Sequence, residues 1–290
     1  MIRGFKESDR EMVEELLECI TVNCRLGFNK GLEDDTIIEN IIFEKKNNDG
    51  VYILNKFSED LYIGYISFRN NEVSDEDLLY IEKLIRNSIY IVGDKELRLN
   101  INADNEKLVA LANQNDFANK EDSPGYEFLY TITGDEELME NRHGLEYRDY
   151  QPELIDEYLS FLDKAFQDFN EENDNVYNFT EKKDFFSRIY EKVAELEGFA
   201  SFWYKGEIVG LYTVNHYGVN MVTFIGVHPD YRGYGFGSYM ISYCINETME
   251  RVGGDKLYLY TFENNTRAQR FYERNGFVKT AHYYEGIYKG

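Results

Sequence analysis

The sequence predicts an α+β protein made of two domains with the same organisation, and three observations carry that prediction. The chain has 290 residues, a length that suits two domains or one large domain. Short apolar runs typical of strands alternate with amphipathic stretches typical of helices. The order of these elements starts again near residue 145, as expected of an internal repeat.

The first half begins with a short predicted strand at residues 2–5. Ser8 and Glu11 then have the spacing of a capping box and precede a helical stripe formed by Met12, Val13, Leu16, Leu17 and Ile20. Apolar runs predict further strands at residues 51–54, 61–68, 97–101 and 128–132. Helical periodicity separates them at residues 78–89 and 106–115.

A polar, charged stretch at residues 134–141 divides the halves, and we place the two domains at residues 1–137 and 143–290. The second half repeats the opening strand at residues 145–148 and the first helix near residues 154–159. Its hairpin at residues 199–212 is matched to the first-half hairpin, and residues 97–117 align with residues 257–277 without a gap. Few aligned positions are identical, so the predicted duplication depends on the shared order of elements.

The composition excludes several classes of function. The net charge is −23, and such an acidic surface repels the phosphate backbone of nucleic acids. Cys19, Cys24 and Cys244 are odd in number and lack metal-ligand spacing, so we expect reduced thiols in a cytoplasmic protein and no metal. No apolar run approaches the roughly 20 residues that span a bilayer, and the N-terminus lacks an apolar signal core, so no membrane partner is expected.

Residues 227–238 form the stretch in which chemistry is expected. An apolar run leads in and an amphipathic stretch leads out, so a glycine-rich turn joins a strand to a helix. Gly233, Gly235 and Gly237 let backbone N–H groups approach a ligand, and donors at a helix N-terminus favour an anion such as phosphate. Arg232 adds a positive charge beside them. The alternative is a tight turn without a ligand, which the glycines alone would favour.

The first half lacks such a turn. Residues 70–77 stand in the corresponding place, and their carboxylates would repel phosphate. Ala112 aligns with Tyr272, and Asp116 aligns with Gly276. We therefore expect the second half to hold the anion site and the first half to serve as a scaffold.

Two blocks of the second half resemble the GNAT acyltransferase superfamily. Residues 232–237 fit its Arg/Gln-x-x-Gly-x-Gly/Ala acyl-CoA loop, and residues 265–277 fit its block Asn-x-x-Ala-x-x-Phe-Tyr-x-x-x-Gly-Phe. The clear resemblance runs from about residue 145 to the C-terminus, and the first half resembles the degenerate copy of tandem-domain members. The resemblance implies two GNAT-like domains, each with a mixed, mostly antiparallel sheet flanked by helices.

The resemblance also implies an N-acetyltransferase that moves an acetyl group from acetyl-CoA to a primary amine of a small molecule or peptide. The strand that begins at Met221 would splay from its neighbour, its backbone would bind the pantetheine arm, and an N–H near Ile225 could stabilise the oxyanion. Loop amides would hold the pyrophosphate, and Asn265 would either contact the cofactor or cap the following helix. The cofactor-binding residues implied are Ile225, Val227, Arg232, Gly233, Tyr234, Gly235, Phe236, Gly237, Ser238 and Asn265.

Tyr272 is implied as the acid that protonates the departing thiolate, because a phenol with a pKa of about 10 keeps its proton at neutral pH. The alternative interpretation is that Tyr272 is a core residue that packs beside Phe271. Glu263 and His216 are candidates for the general base, and each could instead be a solvated loop residue. His228 is not expected to be catalytic, and Cys244 lies on the apolar stripe of a helix and is expected in the core.

The acceptor is the least determined partner. Residues 166–174 mix carboxylates with aromatics and, by resemblance, line the acceptor pocket, which would suit a cationic amine. The alternative is a solvated acidic loop. A rival function is a non-catalytic acyl-CoA-binding sensor or interaction module, but a sensor has no need of a leaving-group acid such as Tyr272.

Overall fold

The computed structural model describes residues 1–45, 49–119, 124–172 and 178–288, and the chain forms two compact units. The N-terminal unit comprises Met1–Glu127, Thr261–Asn264 and Lys279–Gly290. The C-terminal unit comprises Phe128–Tyr260 and Asn265–Val278. Two late segments thus belong to the N-terminal unit, and the uninterrupted domain limits at residues 1–137 and 143–290 stay a prediction.

The N-terminal unit contains a mixed, mostly antiparallel sheet. The elements in chain order are β1 (Ile2–Gly4), α1 (Arg10–Glu18), α2 (Val22–Glu33), β2 (Ile37–Phe43), β3 (Gly50–Lys56), β4 (Leu61–Phe68), α3 (Asp75–Val92), β5 (Glu96–Asn102), α4 (Glu106–Gln114), β6 (Phe117–Asn119), the first part of β7 (Gly125–Thr131) and most of β13 (Val278–Tyr288). The strands are neighbours in the order β1-β2-β3-β4-β5-β13, with only β4 and β5 parallel among these pairs, and β6 pairs with β13.

Helices cover both faces of this sheet because alternate strand residues point to opposite sides. One buried cluster joins the sheet to α3 and α4, and it includes Tyr52, Ile66 and Leu99. The other joins the sheet to α1 and α2, and it includes Val51 and Ile53. Tyr52 thus lies between two residues that belong to the opposite face.

The start of the first helix differs from the prediction. Ser8 does not cap it, because residues Glu7–Asp9 form a 3₁₀ turn and α1 begins at Arg10. The Asp9 carboxylate accepts the N–H of Lys6 at 2.7 Å and pairs with Arg3 at 2.6 Å. The Asp9 carboxylate, and not the predicted Ser8 hydroxyl, therefore stabilises the turn.

The C-terminal unit also contains a mixed, mostly antiparallel sheet flanked by helices. Its further elements are β8 (Glu146–Arg148), α5 (Ile155–Ala165), α6 (Gln167–Glu172), α7 (Lys183–Glu195), β9 (Phe199–Tyr204), β10 (Glu207–Asn215), β11 (Met221–Val227), α8 (Phe236–Val252), most of β12 (Lys256–Phe262) and α9 (Thr266–Arg274). The strands are neighbours in the order β7-β12-β11-β10-β9-β8. The strands β8 to β11 pair antiparallel, whereas β11 and β12 are parallel.

These elements confirm the predicted α+β class with two similarly organised domains. Each unit runs through a strand, helices, three antiparallel strands, a helix, a parallel strand and a helix. The predicted matching of the two hairpins was wrong by one strand, however. In the order of elements, β3 and β4 correspond to β10 and β11, and not to β9 and β10 as predicted. Strand β2 had not been predicted, and this caused the shift. Among the described residues, no helix is long and apolar enough to cross a membrane.

Candidate active site

Strand β11 separates from β12 partway along its length. Parallel pairing joins Met221 to Tyr258 and Val222 to Leu259, and it extends no further among the described residues. On its other side, β11 stays paired with β10 as far as Val227. The register there skips Thr223, which makes a β-bulge. A bulge bends a strand and increases its twist, which explains why β11 leaves β12 at this point.

The separation leaves an open edge on β11. The N–H of His228 donates to the carbonyl of Val209 on β10 at 2.9 Å, so residue 228 points toward β10. Successive residues of a strand direct their backbone groups to opposite sides. Ile225 and Val227 therefore point away from β10, toward the side that β12 has left. The resemblance implied these two residues as partners of the pantetheine arm, and their orientation is compatible with that role.

The glycine turn follows this edge and leads into α8. Gly233 and Gly235 have φ angles of +85° and +88°, which L-residues with a Cβ rarely adopt. An added Cβ would meet nothing within 4 Å at either position, so conformation and not space requires glycine there. At Gly237 the reason is space, because an added Cβ would lie 3.1 Å from a ring carbon of Phe271.

Backbone donors of the first turn of α8 are the candidate anion cradle. Gly235 is the N-cap, and the N–H of Tyr239 donates to its carbonyl at 3.1 Å. The N–H groups of Phe236, Gly237 and Ser238 precede this bond and have no i−4 partner inside the helix. Such donors, together with the helix dipole, favour a negatively charged ligand.

Arg232 is anchored in the structure, whereas the sequence suggested only a charge beside the turn. Its Nη2 donates to the carbonyl of Ala165 at 2.6 Å, and its Nε donates to the carbonyl of Val227 at 3.3 Å. Its Nη1 pairs with the Asp168 carboxylate of α6. The guanidinium therefore ties the end of β11 to the segment between α5 and α6.

Tyr272 lies on α9 with its side chain almost fully buried. Its ring contacts those of Phe128, Phe271 and Phe277 at centroid distances of 5.4 to 5.9 Å. Burial raises the pKa of its hydroxyl above the ordinary value. No hydrogen-bond partner of this hydroxyl is found within the part of the chain that the structure describes. The phenol is thus both packed in the core and protonated at neutral pH.

Asn265 caps the helix that carries Tyr272. Its side-chain oxygen accepts the N–H of Ala268 at 3.1 Å. This satisfies one of the free donors at the start of α9. The predicted cofactor contact of Asn265 is a separate matter and stays a prediction.

The two candidate bases have different surroundings. His216 lies in the connection before Met221, at the end of β11 opposite the glycine turn, and its Nδ1 is 2.8 Å from Asn220 Oδ1. Glu263 belongs to the N-terminal unit, where its Oε2 lies 3.8 Å from Nε2 of His282. Their roles stay predictions.

The neighbours of Glu263 had not been singled out from the sequence. His282 Nδ1 lies 2.7 Å from Asp104 Oδ1, and the His282 ring stacks on Tyr126 at 4.4 Å. Asp104 and His282 are separated by 178 residues in the chain, so no local pattern could have paired them.

The remaining sequence candidates are placed as follows. Cys244 is completely buried, as expected, and burial raises the pKa of its thiol. His228 Nδ1 accepts the N–H of Asp230 at 3.3 Å, which is a turn-capping role. Among the described residues, no group of His, Cys, Asp and Glu side chains could hold a metal ion.

The predicted acceptor segment is only partly described, because residues 173 and 174 lie outside the described residues. Phe166 packs with Phe179 and Phe224, which forms an aromatic cluster beside β11. Two of its carboxylates have partners, since Asp168 pairs with Arg232 and Glu171 accepts a bond from Gln167 at 2.8 Å. Its residues Gln167–Glu172 form a helix and not a loop, and its role at the acceptor stays a prediction.

Comparison with known proteins agrees with this geometry. Residues 157–277 match the model of the acetyltransferase (GNAT) family. A search of curated proteins found no sequence that matches the chain. Solved structures with a similar fold include a GCN5-related N-acetyltransferase from Sphaerobacter thermophilus, with 14% identity, 99% of this chain and 94% of that chain covered, and a TM-score of 0.53.

Two further structures are similar over most of the chain. A GNAT-family acetyltransferase from Colwellia psychrerythraea has 12% identity, covers 100% of both chains and has a TM-score of 0.53. A GCN5-related N-acetyltransferase from Kribbella flavida has 13% identity, covers 91% of this chain and 94% of that chain, and has a TM-score of 0.53. The fold of the chain is therefore GNAT-like, and residues 157–277 match the acetyltransferase (GNAT) family.

Proposed function

We propose that the protein is an acyl-CoA-dependent N-acetyltransferase that moves an acetyl group from acetyl-CoA to a primary amine of a small molecule or peptide. The observation that carries the proposal is the open edge of β11, which leads directly into the glycine turn and the first turn of α8. A free strand edge can pair with the amide groups of an extended ligand. Free amide donors at a helix N-terminus can hold a pyrophosphate.

Each part of acetyl-CoA has a proposed partner in the C-terminal unit. Backbone groups of Ile225 and Val227 would bind the pantetheine arm. The amides of residues 233–238 would hold the pyrophosphate, with Arg232 adding positive charge. Asn265 would contribute its amide nitrogen, because its oxygen already caps α9.

The proposed reaction is direct attack of the amine on the thioester carbon. An alkylamine is almost wholly protonated at neutral pH, so a base must first accept a proton, and Glu263 or His216 would do so directly or through water. The N–H of Ile225 would stabilise the oxyanion of the tetrahedral intermediate. The C–S bond then breaks and Tyr272 gives its proton to the thiolate. The attacking nitrogen, which still carries one proton too many, releases it to solvent, and the phenolate regains a proton from solvent.

We propose a scaffold role, without acyl-CoA, for the N-terminal unit. There β4 stays paired with β5 over six residues, from Leu61 to Ile66, and its register with β3 shows no bulge. The connection to α3 contains no glycine, and Ser74 caps that helix by accepting the N–H of Asp77 at 3.2 Å. Acidic residues fill the first turn of α3, so an anion would be repelled there. This contrast supports a degenerate copy of the C-terminal domain.

The acceptor is proposed from the surroundings of α5 and α6. The aromatic cluster of Phe166, Phe179 and Phe224 supplies apolar surface for the body of an amine. A cationic acceptor has less support, because the described carboxylates Asp168 and Glu171 already have partners. The cysteines are all free thiols, which is compatible with the reducing cytoplasm in which we propose that the protein acts.

An amine screen tests the function. The full chain is incubated with acetyl-CoA and a panel of primary amines that includes diamines, amino sugars and peptides, and the release of free CoA thiol is measured. At least one amine should raise thiol release above hydrolysis and yield an acetylated product by mass. Binding of acetyl-CoA without turnover on any amine would replace the enzyme proposal by that of an acyl-CoA sensor.

A further inference from the structure

Two arginines converge on one carboxylate beside the glycine turn. Nη1 of Arg232 pairs with Oδ2 of Asp168, and Nη1 of Arg267 lies 3.5 Å from the same oxygen. Asp168 is on α6, Arg232 belongs to the turn, and Arg267 is in the first turn of α9. Three elements of the C-terminal unit therefore meet at a single carboxylate group.

The charges at this point are unusual for this protein. The chain has a net charge of −23, but here two guanidinium groups share one carboxylate and leave an excess of positive charge. A cation in the first turn of a helix is also opposed by the helix dipole. The Asp168 carboxylate therefore offsets an unfavourable interaction between Arg267 and the helix dipole.

The ion pair is exposed enough to be exchanged for a ligand. The Arg267 side chain is 64% exposed and that of Asp168 is 58% exposed, whereas Arg232 is 22% exposed and held by two backbone carbonyls. Exposed ion pairs contribute little to stability, so a group with a larger negative charge can displace the carboxylate. A phosphate monoester, with a charge of about −1.5 to −2 at neutral pH, is such a group.

We infer that Arg267 and Arg232 form a second anion subsite, for the 3′-phosphate of acyl-CoA, and that Asp168 occupies this subsite until the cofactor binds. The inference rests on the proposed function. The free amides at the start of α8 account for the pyrophosphate, and the 3′-phosphate is the phosphate of acyl-CoA that remains. Asp168 thus acts as an internal competitor of the ligand, and its release accompanies binding.

The test compares CoA with dephospho-CoA, which lacks only the 3′-phosphate. Dissociation constants are measured by calorimetry for the full chain and for Arg267→Ala, with Arg270→Ala as the control on the same helix. The unmodified chain should bind CoA about tenfold more tightly than dephospho-CoA, since hydrogen bonds to a charged phosphate strengthen binding and the loss of the Asp168 ion pair offsets part of this gain. Arg267→Ala should abolish the preference for CoA without weakening the binding of dephospho-CoA. Arg270→Ala should keep the preference for CoA.

A second variant tests the competitor. Asp168→Asn removes the internal anion, so it should bind CoA several-fold more tightly than the unmodified chain does. Equal affinity for CoA and dephospho-CoA in the unmodified chain would overturn the inference and leave the proposed function intact. An equal loss of affinity for CoA and for dephospho-CoA in Arg267→Ala would also overturn the inference. Failure of the unmodified chain to bind either ligand would overturn the proposed function together with the inference.

Discussion

Substitution of Gly235 by Asp and by Asn separates the charge requirement of the glycine turn from its conformational requirement. Gly235 has φ of +88° and is the N-cap of α8. Both replacements have nearly the same size, and both tolerate positive φ better than most residues do. An added Cβ at this position meets no atom within 4 Å, so neither side chain is excluded by its first carbon. The two variants therefore differ mainly by one negative charge.

The expected magnitudes follow from this difference. Each variant should lose about 1 kcal/mol of unfolding free energy, because a residue with a Cβ is strained in the left-handed region. Only the Asp variant places a carboxylate beside the proposed pyrophosphate. Two like charges about 5 Å apart repel by about 3 kcal/mol at an effective dielectric constant of about 20, which corresponds to a loss of roughly 100-fold in affinity.

Calorimetric titration with acetyl-CoA measures the affinity, and thermal unfolding measures the stability of the same preparations. The Asn variant should bind within about tenfold of the unmodified chain, and the Asp variant should bind about 100-fold more weakly than the Asn variant. Equal affinity of both variants for acetyl-CoA would contradict this expectation, since the negative charge would then not face the ligand. Tight binding by the Asp variant would place the cofactor elsewhere in the chain.

Three further predictions concern the same unit and the stability of the chain. Tyr272→Phe should lower turnover by about 10²-fold or more with acetyl-CoA affinity nearly unchanged, and unaltered turnover would contradict the acid role. Gly237→Ala should cost about 1 kcal/mol in thermal unfolding, because the new Cβ would lie 3.1 Å from the Phe271 ring; an unchanged melting temperature would show that the ring yields freely. Burial raises the pKa of the hydroxyls of Tyr52, Tyr190 and Tyr272 above their ordinary value in the folded state. Their contribution to stability is therefore complete below pH of about 10 and declines at higher pH, which circular dichroism melts at increasing pH will check.

The glycine turn and the Tyr272 block could be predicted because their information is local. Glycines at fixed spacing between an apolar run and a helical stripe indicate a strand, a turn and a helix without reference to the rest of the chain. The orientation of Ile225 and Val227 depends on a bulge at Thr223, which only the pairing of three strands reveals. The resemblance implied the splayed strand, and the structure supplies its cause.

Helix α2 was missed because its glycines resemble turn residues. In the structure they allow close packing, since an added Cβ at Gly27 would lie 2.4 Å from the Tyr65 hydroxyl, and one at Gly31 would lie 2.7 Å from the Asn55 amide nitrogen. Strand β2 was missed because Glu39 and Asn40 interrupt its apolar pattern. In both cases tertiary packing overrides the local signal.

The contacts of the charged site residues could not be predicted. Asp168 and Arg232 are 64 residues apart, and Asp168 and Arg267 are 99 residues apart. Such pairs depend on how α5, α6 and α9 are placed by the sheet. Sequence alone therefore gave the residue types of the site but not the partner that holds Arg232.

Amide hydrogen exchange, resolved to single residues by NMR, tests the central claim that the open edge of β11 and the first turn of α8 bind acyl-CoA. Exchange is measured on the full chain with and without acetyl-CoA. The N–H groups of Ile225, Val227 and residues 236–238 should exchange more slowly in the complex, because they gain partners, while those of β4 should not change. Protection at β4 or at residues 69–74, with none on β11, would contradict the account and assign the cofactor to the N-terminal unit.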